Sequence, residues 1–175
     1  MIQKNKSNKI FITLFSISLF LMAIIYSNHL QSFAEVCGDW QYSTEFVGDE
    51  IGIKIEKYNG TDSILEIPST ISGEPVMVID DNAFAQSPIV TQVSVPSTVK
   101  YIKSRSFYGC SNLEIVDMQP GLIAIDAFAF AQCPKLKKIA IPEGVVYIGQ
   151  GICYDCPSLI TASLPSSLIT IDGNA

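Results

Sequence analysis

Apolar residues return at a fixed spacing of 23 residues through most of the chain. The clearest column holds isoleucine in five successive rows, at Ile79, Ile102, Ile125, Ile148 and Ile171. Columns of leucine and valine run beside it at the same spacing. Because many positions must match together at one period, the pattern indicates an internal repeat. It predicts a solenoid, in which each coil buries its apolar face only by stacking on its neighbours.

Each row predicts two short strands and one further segment on the opposite wall. The run 136–141 ends in alternating apolar and polar residues, as in a strand with one buried face. Pro142 follows, and proline ends a strand because it cannot donate to the ladder. A second extended segment carries the isoleucine, and the stretch Ala-Phe-x-x-Cys-x-x-Leu has the i, i+3 spacing of one or two helical turns. We therefore expect short parallel strands and short helical turns in every coil.

Two more columns are expected to fill the core on the wall of the helical turns. The first contains Phe84, Phe107 and Phe130, with Cys153 in the next row. The second lies three residues further on and contains Cys110, Cys133 and Cys156. The Cys-x-x-Cys spacing of 153 and 156 is therefore the phenylalanine-to-cysteine offset of every row, which argues against a dithiol redox centre.

Residues 35–64 precede the repeats and show a different pattern. Apolar residues alternate in two stretches separated by Gly48-Asp49, which predicts a β-hairpin that caps the first coil. The repeats then occupy 65–175 as about four and a half coils, with a five-residue insertion near Gly73. Since the sequence stops inside a coil, we expect either a fragment or the front of a longer protein.

Residues 1–34 have the composition of a signal peptide. Three lysines among the first nine residues precede an apolar run over 10–26, and small residues at Ser32 and Ala34 mark a cleavage site. An uncleaved membrane anchor is the alternative, although a run of 17 residues is at the lower limit for spanning a bilayer. The segment predicts a secreted or cell-surface protein, with a membrane contact only if it stays uncleaved.

The stacked cysteines are expected to behave as small buried apolar residues. A disulfide between neighbouring coils is the main alternative, because export permits it. Coils joined by parallel strands lie ~4.8 Å apart, whereas a disulfide needs about 3.5–4.5 Å between its Cβ atoms. Five cysteines leave at least one unpaired, and Cys37 has no place in the column.

Charge and composition exclude several functions. Residues 35–175 carry all 17 acidic residues and 8 of the 11 basic ones, a formal charge of −9 that argues against nucleic acid as a partner. The one histidine, His29, lies in the signal segment, so the remainder lacks the imidazole base of Ser-His-Asp and Cys-His catalysis. No catalytic residue, cofactor, metal ligand or small-molecule substrate is predicted.

The rows resemble the leucine-rich repeats of the BspA type. The stretches that carry the resemblance are LEIPSTISGEPVMVIDDNAFAQSP, VSVPSTVKYIKSRSFYGCSNLEIV and IAIPEGVVYIGQGICYDCPSLITASLP, within 65–175. The resemblance implies a leucine-rich-repeat solenoid, α/β or mainly β. It also implies a secreted or surface protein that contacts other proteins, as an adhesion module without catalytic activity. The partner would be a host or bacterial surface protein.

The outward side of the strand ladder is the predicted binding surface. The candidates there are Glu114, Ile115, Asp117, Lys137, Lys138, Ile160 and Thr161, and Tyr101 and Tyr147 point outward on the second extended segment. Exposed apolar and aromatic residues are typical of protein interfaces, and ordinary surface variation is the competing interpretation. Two other hypotheses stay open. One is the repeat portion of a larger secreted enzyme whose catalytic domain lies beyond residue 175, and the other is a structural spacer.

Overall fold

A computed structural model describes residues 35–175, and this part of the chain is built from strands and turns without a helix. The strands are β1 (Glu35–Cys37), β2 (Trp40–Val47), β3 (Glu50–Tyr58), β4 (Ile64–Glu66), β5 (Thr70–Ile71), β6 (Glu74–Ile79), β7 (Gln92–Val95), β8 (Tyr101–Ile102), β9 (Ile115–Met118), β10 (Ala124–Ile125), β11 (Lys138–Ala140), β12 (Tyr147–Ile148), β13 (Thr161–Ser163) and β14 (Thr170–Ile171).

Each coil contributes one strand to each of two ladders. The first ladder is a five-stranded parallel sheet in the order β4-β7-β9-β11-β13. The second is a nine-stranded sheet in which β6, β8, β10, β12 and β14 pair in parallel. Paired residues stand one repeat apart, as Gln92 does from Ile115. The solenoid predicted from the 23-residue period is confirmed.

The core lies between the two ladders and the turns that join them. Ile79, Ile102, Ile125 and Ile148 are buried, and so are the three phenylalanines of the aromatic column. Ile171, which its column predicts as core, is instead 49% exposed. It lies on β14, which has a neighbouring strand on only one side, so no further coil covers its side chain. Cys156 is half-buried for the same reason and packs against the core from its edge.

The third wall consists of turns, and the expectation of short helical turns there is wrong. This turn wall comprises 80–88 and its equivalents one repeat apart, 103–111, 126–134 and 149–157. Its backbone N–H groups alternate in direction: Phe84 N donates to Ser106 O of the next coil at 2.8 Å, whereas Ala85 N donates to Asn82 O within the coil. An α-helix would direct all N–H groups along its own axis. In the turn wall, every second N–H group donates to the neighbouring coil instead. The segment therefore forms successive tight turns and not a helix.

The N-terminal hairpin closes one end of the solenoid, as its alternating pattern predicts. β2 and β3 pair antiparallel around the Gly48-Asp49 turn, and β3 then pairs in parallel with β6. The rings of Trp40 and Tyr58 lie 6.3 and 6.2 Å from the ring of Phe84. The hairpin therefore extends one ladder and also covers the first ring of the aromatic column.

The five-residue insertion forms a small hairpin of its own. Thr70 pairs with Pro75 and Ile71 with Glu74, so β5 folds back on β6 around Ser72 and Gly73. Both turn residues have positive φ angles, 55° and 91°. The insertion thus leaves the stacking of the coils undisturbed.

The predicted signal peptide, residues 1–34, lies outside the described residues. Within 35–175 there is no helix with the length and hydropathy needed to cross a membrane.

Candidate interaction surfaces

The ladder face is the outward side of the five-stranded sheet. One column of side chains on this face consists of Ile64, Gln92, Ile115, Lys138 and Thr161, which are in register across all five strands. A second column consists of Glu66, Ser94, Asp117, Ala140 and Ser163. Alternate residues such as Val116 and Met118 point inward and are buried. Predicted residues Ile115, Asp117, Lys138 and Thr161 are therefore brought together on one flat surface.

A third column lies at the edge of the ladder face, immediately before the strands. Glu114 and Lys137 occupy it in adjacent coils, and Lys137 Nζ donates to Glu114 Oε2 at 2.7 Å. This hydrogen bond holds the pKa of the Glu114 carboxyl below its usual value. Ile160 follows in the same column, one repeat after Lys137. The two charges neutralise one another, and Ile160, which is strongly exposed, follows them as the apolar member of this column.

Three isoleucines give the ladder face its apolar character. Ile64 is 56% exposed, Ile115 52% and Ile160 85%. Ile64 escapes the repeat analysis because the insertion places it 28 residues before Gln92, its partner in the ladder, instead of 23. Its signal in the sequence is the alternation of β4, where Leu65 is buried between exposed neighbours. The apolar positions thus span the ladder from its first strand to its last.

Tyr101 and Tyr147 lie on the other sheet, away from the ladder face. They belong to β8 and β12, with Ala124 of β10 between them in register. The ammonium group of Lys103 lies 5.1 Å from the centre of the Tyr101 ring. Tyr147 Oη donates to Asp172 Oδ2 at 2.7 Å, and this bond raises the pKa of the tyrosine. Both side chains are half-buried, so they form a separate small surface.

The thiol column has a structural role in the turn wall. The thiols of Cys110, Cys133 and Cys156 donate to the carbonyl oxygens of Phe84, Phe107 and Phe130 at 3.2, 3.3 and 3.2 Å. All five cysteines are free thiols in this structure. Burial raises the pKa of the Cys153 thiol to about 12, so its nucleophilic thiolate is scarce at neutral pH. The column therefore links each coil to the preceding one through sulfur-to-carbonyl hydrogen bonds.

Carboxylates beside the second ladder are paired with lysines. Lys54 lies 3.4 Å from Asp80, and Lys103 lies 3.8 Å from Asp126. Burial raises the pKa of Asp126, and the Lys103 charge opposes that shift. Within 35–175, no group of three or more histidine, cysteine, aspartate or glutamate side chains is placed to hold a metal ion. The two lysine–aspartate ion pairs instead link neighbouring layers of the solenoid: one joins the hairpin to the first coil, and the other joins two successive coils.

The structure also has a groove on the turn wall that sequence reasoning missed. Arg105, Tyr108, Phe128 and Tyr154 are among its lining residues. The signal available in the sequence is the clustering of aromatic residues in the outward positions of the turn segments, beside the inward phenylalanine column.

A parallel solenoid of 23-residue coils with one strand per coil in a regular ladder defines a leucine-rich repeat protein. The chain belongs to the family of the BspA type leucine rich repeat region, whose model matches residues 76–175 in 6 copies. A comparison with curated protein sequences found no match.

Solved structures of bacterial proteins share this fold. A leucine-rich repeat protein of T. pallidum is 32% identical, with a TM-score of 0.71, and the match covers 81% of this chain and 64% of that one. A leucine-rich cell surface protein of Faecalibacterium prausnitzii is 28% identical with a TM-score of 0.59, over 79% of this chain and 44% of that one. The pneumococcal vaccine antigen PcpA is 21% identical, with a TM-score of 0.63, over 78% of this chain and 39% of that one. This chain thus spans less than two thirds of each of these three proteins.

Proposed function

We propose that this protein is an exported interaction module that binds another protein through the ladder face and catalyses no reaction. The observation that carries the proposal is the exposure of Ile64, Ile115 and Ile160 on one ordered sheet surface. The ladder holds the backbone beneath these side chains in place before a partner arrives, so little backbone entropy is lost on binding. Their separation along the ladder suits an extended contact with a protein.

The charges around these isoleucines support a protein partner. Lys138 and Asp117 lie on the same face, so the surface has both signs and no large field of one sign. A non-obligate protein interface is about as apolar as the rest of a protein surface, and this mixture of apolar and charged side chains is consistent with one. Glu114 and Lys137 already neutralise each other and would contribute little to affinity.

Export and surface display are part of the proposal. The signal-like segment 1–34 supports secretion, and the Faecalibacterium prausnitzii relative is described as a cell surface protein. Mass spectrometry of protein recovered from the culture medium or cell surface is expected to find an N-terminus at Glu35. A chain that retains residues 1–34 and stays in the cytoplasm would contradict export.

Binding to cells tests the interaction directly. Fluorescently labelled 35–175 is expected to bind host cells or bacterial cells in a saturable manner. Brief trypsin treatment of those cells should abolish the binding, because the proposed receptor is a protein. Binding that is non-saturable, or that survives trypsin unchanged, would contradict the proposal.

A further inference from the structure

The turn wall bears a groove of about 590 Å³ on a different side of the solenoid from the ladder face. This volume falls within the range of about 300–1,000 Å³ typical of ligand pockets. The groove crosses several coils, since Gln86, Arg105, Phe128 and Tyr154 come from four successive rows. No residue of the proposed protein-binding face contributes to it.

Two columns of left-handed backbone form the floor of this groove. Arg105 and Phe128 have φ angles of 57° and 58°, and Gly151 takes the same column in the next coil with 59°. Gln86 and Gln132 belong to the second column, with φ angles of 59° and 54°. Glycine adopts this conformation at least cost, and bulky side chains adopt it rarely. The fold dictates the conformation in every coil, but it does not require long side chains there, as Gly151 demonstrates.

The long side chains at these positions pack into an ordered array. The guanidinium carbon of Arg105 lies 5.8 Å from the centre of the Phe128 ring, which meets the Tyr154 ring edge to face at 6.4 Å. A Cβ atom at Gly151 would come within 2.7 Å of the Phe128 ring. The glycine thus lets the ring lie against the backbone of the next coil. Arg105 and Phe128 are held together before any ligand arrives.

Arg105 brings an available positive charge into the groove. It is the one arginine of the described residues, and none of their carboxylates lies within ion-pair distance of it. Its side chain is exposed. A guanidinium group presents its donors in a planar fork that matches a carboxylate with two parallel hydrogen bonds. In a protein with net charge −9 outside the signal segment, this local positive group favours an anionic ligand.

The remaining lining groups favour a sugar ring over a peptide. Gln86 and Gln132 each carry a donor and an acceptor in one plane, which matches hydroxyl groups that also donate and accept. Tyr108, Phe128 and Tyr154 supply aromatic surface for the C–H face of a ring, and Tyr108 adds a hydroxyl. A glutamate side chain could form an ion pair with Arg105, but it would make few contacts with the glutamine amides or the aromatic rings that line the groove. We propose that the turn-wall groove binds a saccharide that carries a carboxylate, with Arg105 holding the carboxylate and Phe128 and Tyr154 contacting the sugar ring.

Titration of 35–175 with defined saccharides tests this proposal. The probes are a galacturonic acid trimer, sialyllactose, neutral lactose and a triglutamate peptide, followed by calorimetry or by NMR of the backbone amides. At least one carboxylated saccharide is expected to bind and to shift the amide signals of Arg105 and Phe128. The two acidic saccharides distinguish a uronic acid from a sialic acid. Binding of neither, or equally tight binding of lactose or triglutamate, would overturn the proposal.

Two variants locate the binding without disturbing the fold. Arg105→Gly and Phe128→Gly place glycine where the backbone is already left-handed, so both variants are expected to fold. Each should weaken the acidic saccharide about tenfold or more, since a charged hydrogen bond or a stacked ring is lost. Ile115→Ser on the ladder face is the control, and it should leave this affinity unchanged. Unchanged affinity in Arg105→Gly would also overturn the proposal, whatever the ladder face binds.

Discussion

The rings of Phe84 and Phe107 lie parallel, with 2° between their planes and 4.8 Å between their centroids. Phe107 and Phe130 repeat the arrangement at 5.2 Å and 5°. This spacing is close to the ~4.7–4.9 Å between hydrogen-bonded strands, so the ladders and the ring stack share one period. The identical position of phenylalanine in successive coils is what makes the stack continuous.

Removal of the central ring should destabilise the solenoid strongly. Phe107 is completely buried between two other rings, so Phe107→Ala leaves a cavity that neighbouring coils cannot fill. We expect a loss of about 3–5 kcal/mol in the free energy of unfolding. Urea denaturation of 35–175, followed by circular dichroism, measures it. Phe46→Ala on the exposed side of β2 is the matched control and should cost far less. Equal losses in the two variants would contradict the assigned core.

Continuation of the ring column should stabilise the last coils. Cys153 occupies the aromatic position of its row and packs against the core, half-buried. In Cys153→Phe, the new ring is expected to stack on Phe130 and raise the free energy of unfolding by about 1 kcal/mol, as aromatic pairs typically do. The same urea titration measures the gain. A destabilised variant would mean that residue 153 is not in register with Phe130.

Stability should fall at alkaline pH through Tyr58. Burial, assisted by the hydrogen bond from Tyr58 Oη to Asp62 at 2.6 Å, raises the pKa of this tyrosine to about 12 from an ordinary 10.0. The folded state therefore holds the proton more tightly than the unfolded state does. The stabilisation is fully present below pH 10 and is lost as the pH rises from 10 to 12.

The variant Tyr58→Phe isolates this effect. It cannot ionise at residue 58, so its free energy of unfolding should decline less steeply than that of the wild type between pH 10 and 12. Chemical denaturation at pH 8, 10 and 11.5 provides the comparison, with identical buffers for both proteins. Parallel pH profiles for the two proteins would contradict the link to Tyr58.

Thiol labelling should separate Cys37 from the other cysteines. Cys37 is exposed on β1, whereas Cys110 and Cys133 are fully buried and the Cys153 thiol has a pKa of about 12. A hydrogen bond with Cys133 also raises the pKa of the half-buried Cys156 thiol. With a thiol-reactive chromophore at pH 8, about one thiol per native chain is expected to react quickly, because reactivity requires exposed thiolate. All five should react in urea. Three or fewer in urea without reductant, from a chain whose Cys37 still reacts in the native state, would reveal a disulfide among the other cysteines and contradict the free thiol column.

The period of the sequence predicted the stacked coils, the two ladders and the aromatic column, because each depends on buried residues at a fixed offset. The turn wall was not predicted correctly. The i, i+3 spacing of a segment such as 126–134 is common to a helix and to successive tight turns, and only the hydrogen bonds between coils distinguish them. The residues at Arg105 and Phe128 do not themselves indicate left-handed backbone, and the one glycine of their column, Gly151, was its only glycine signal in the sequence.

The ladder face was predicted in part. Ile115, Asp117 and Lys138 could be placed because strand alternation determines which side chains point outward. Ile64 was missed, since an insertion shifted its spacing, whereas Tyr101 lies on the second ladder, as its place in the second extended segment predicts. Residue spacing identifies a column reliably, but it does not tell which columns share a surface.

Two isoleucines of the last coils allow the most direct test of the central claim, which is binding through the ladder face. Ile160 on that face is 85% exposed, and Ile169, beside the other sheet, is 82% exposed. Ile160→Glu and Ile169→Glu therefore change the same residue type at matched exposure and add the same charge. We predict that Ile160→Glu weakens saturable binding to trypsin-sensitive cell receptors about tenfold or more, because the partner would then cover an unpaired charge where it now covers an apolar side chain. Ile169→Glu should bind like the wild type. Equal binding by both variants, or a loss confined to Ile169→Glu, would contradict the account.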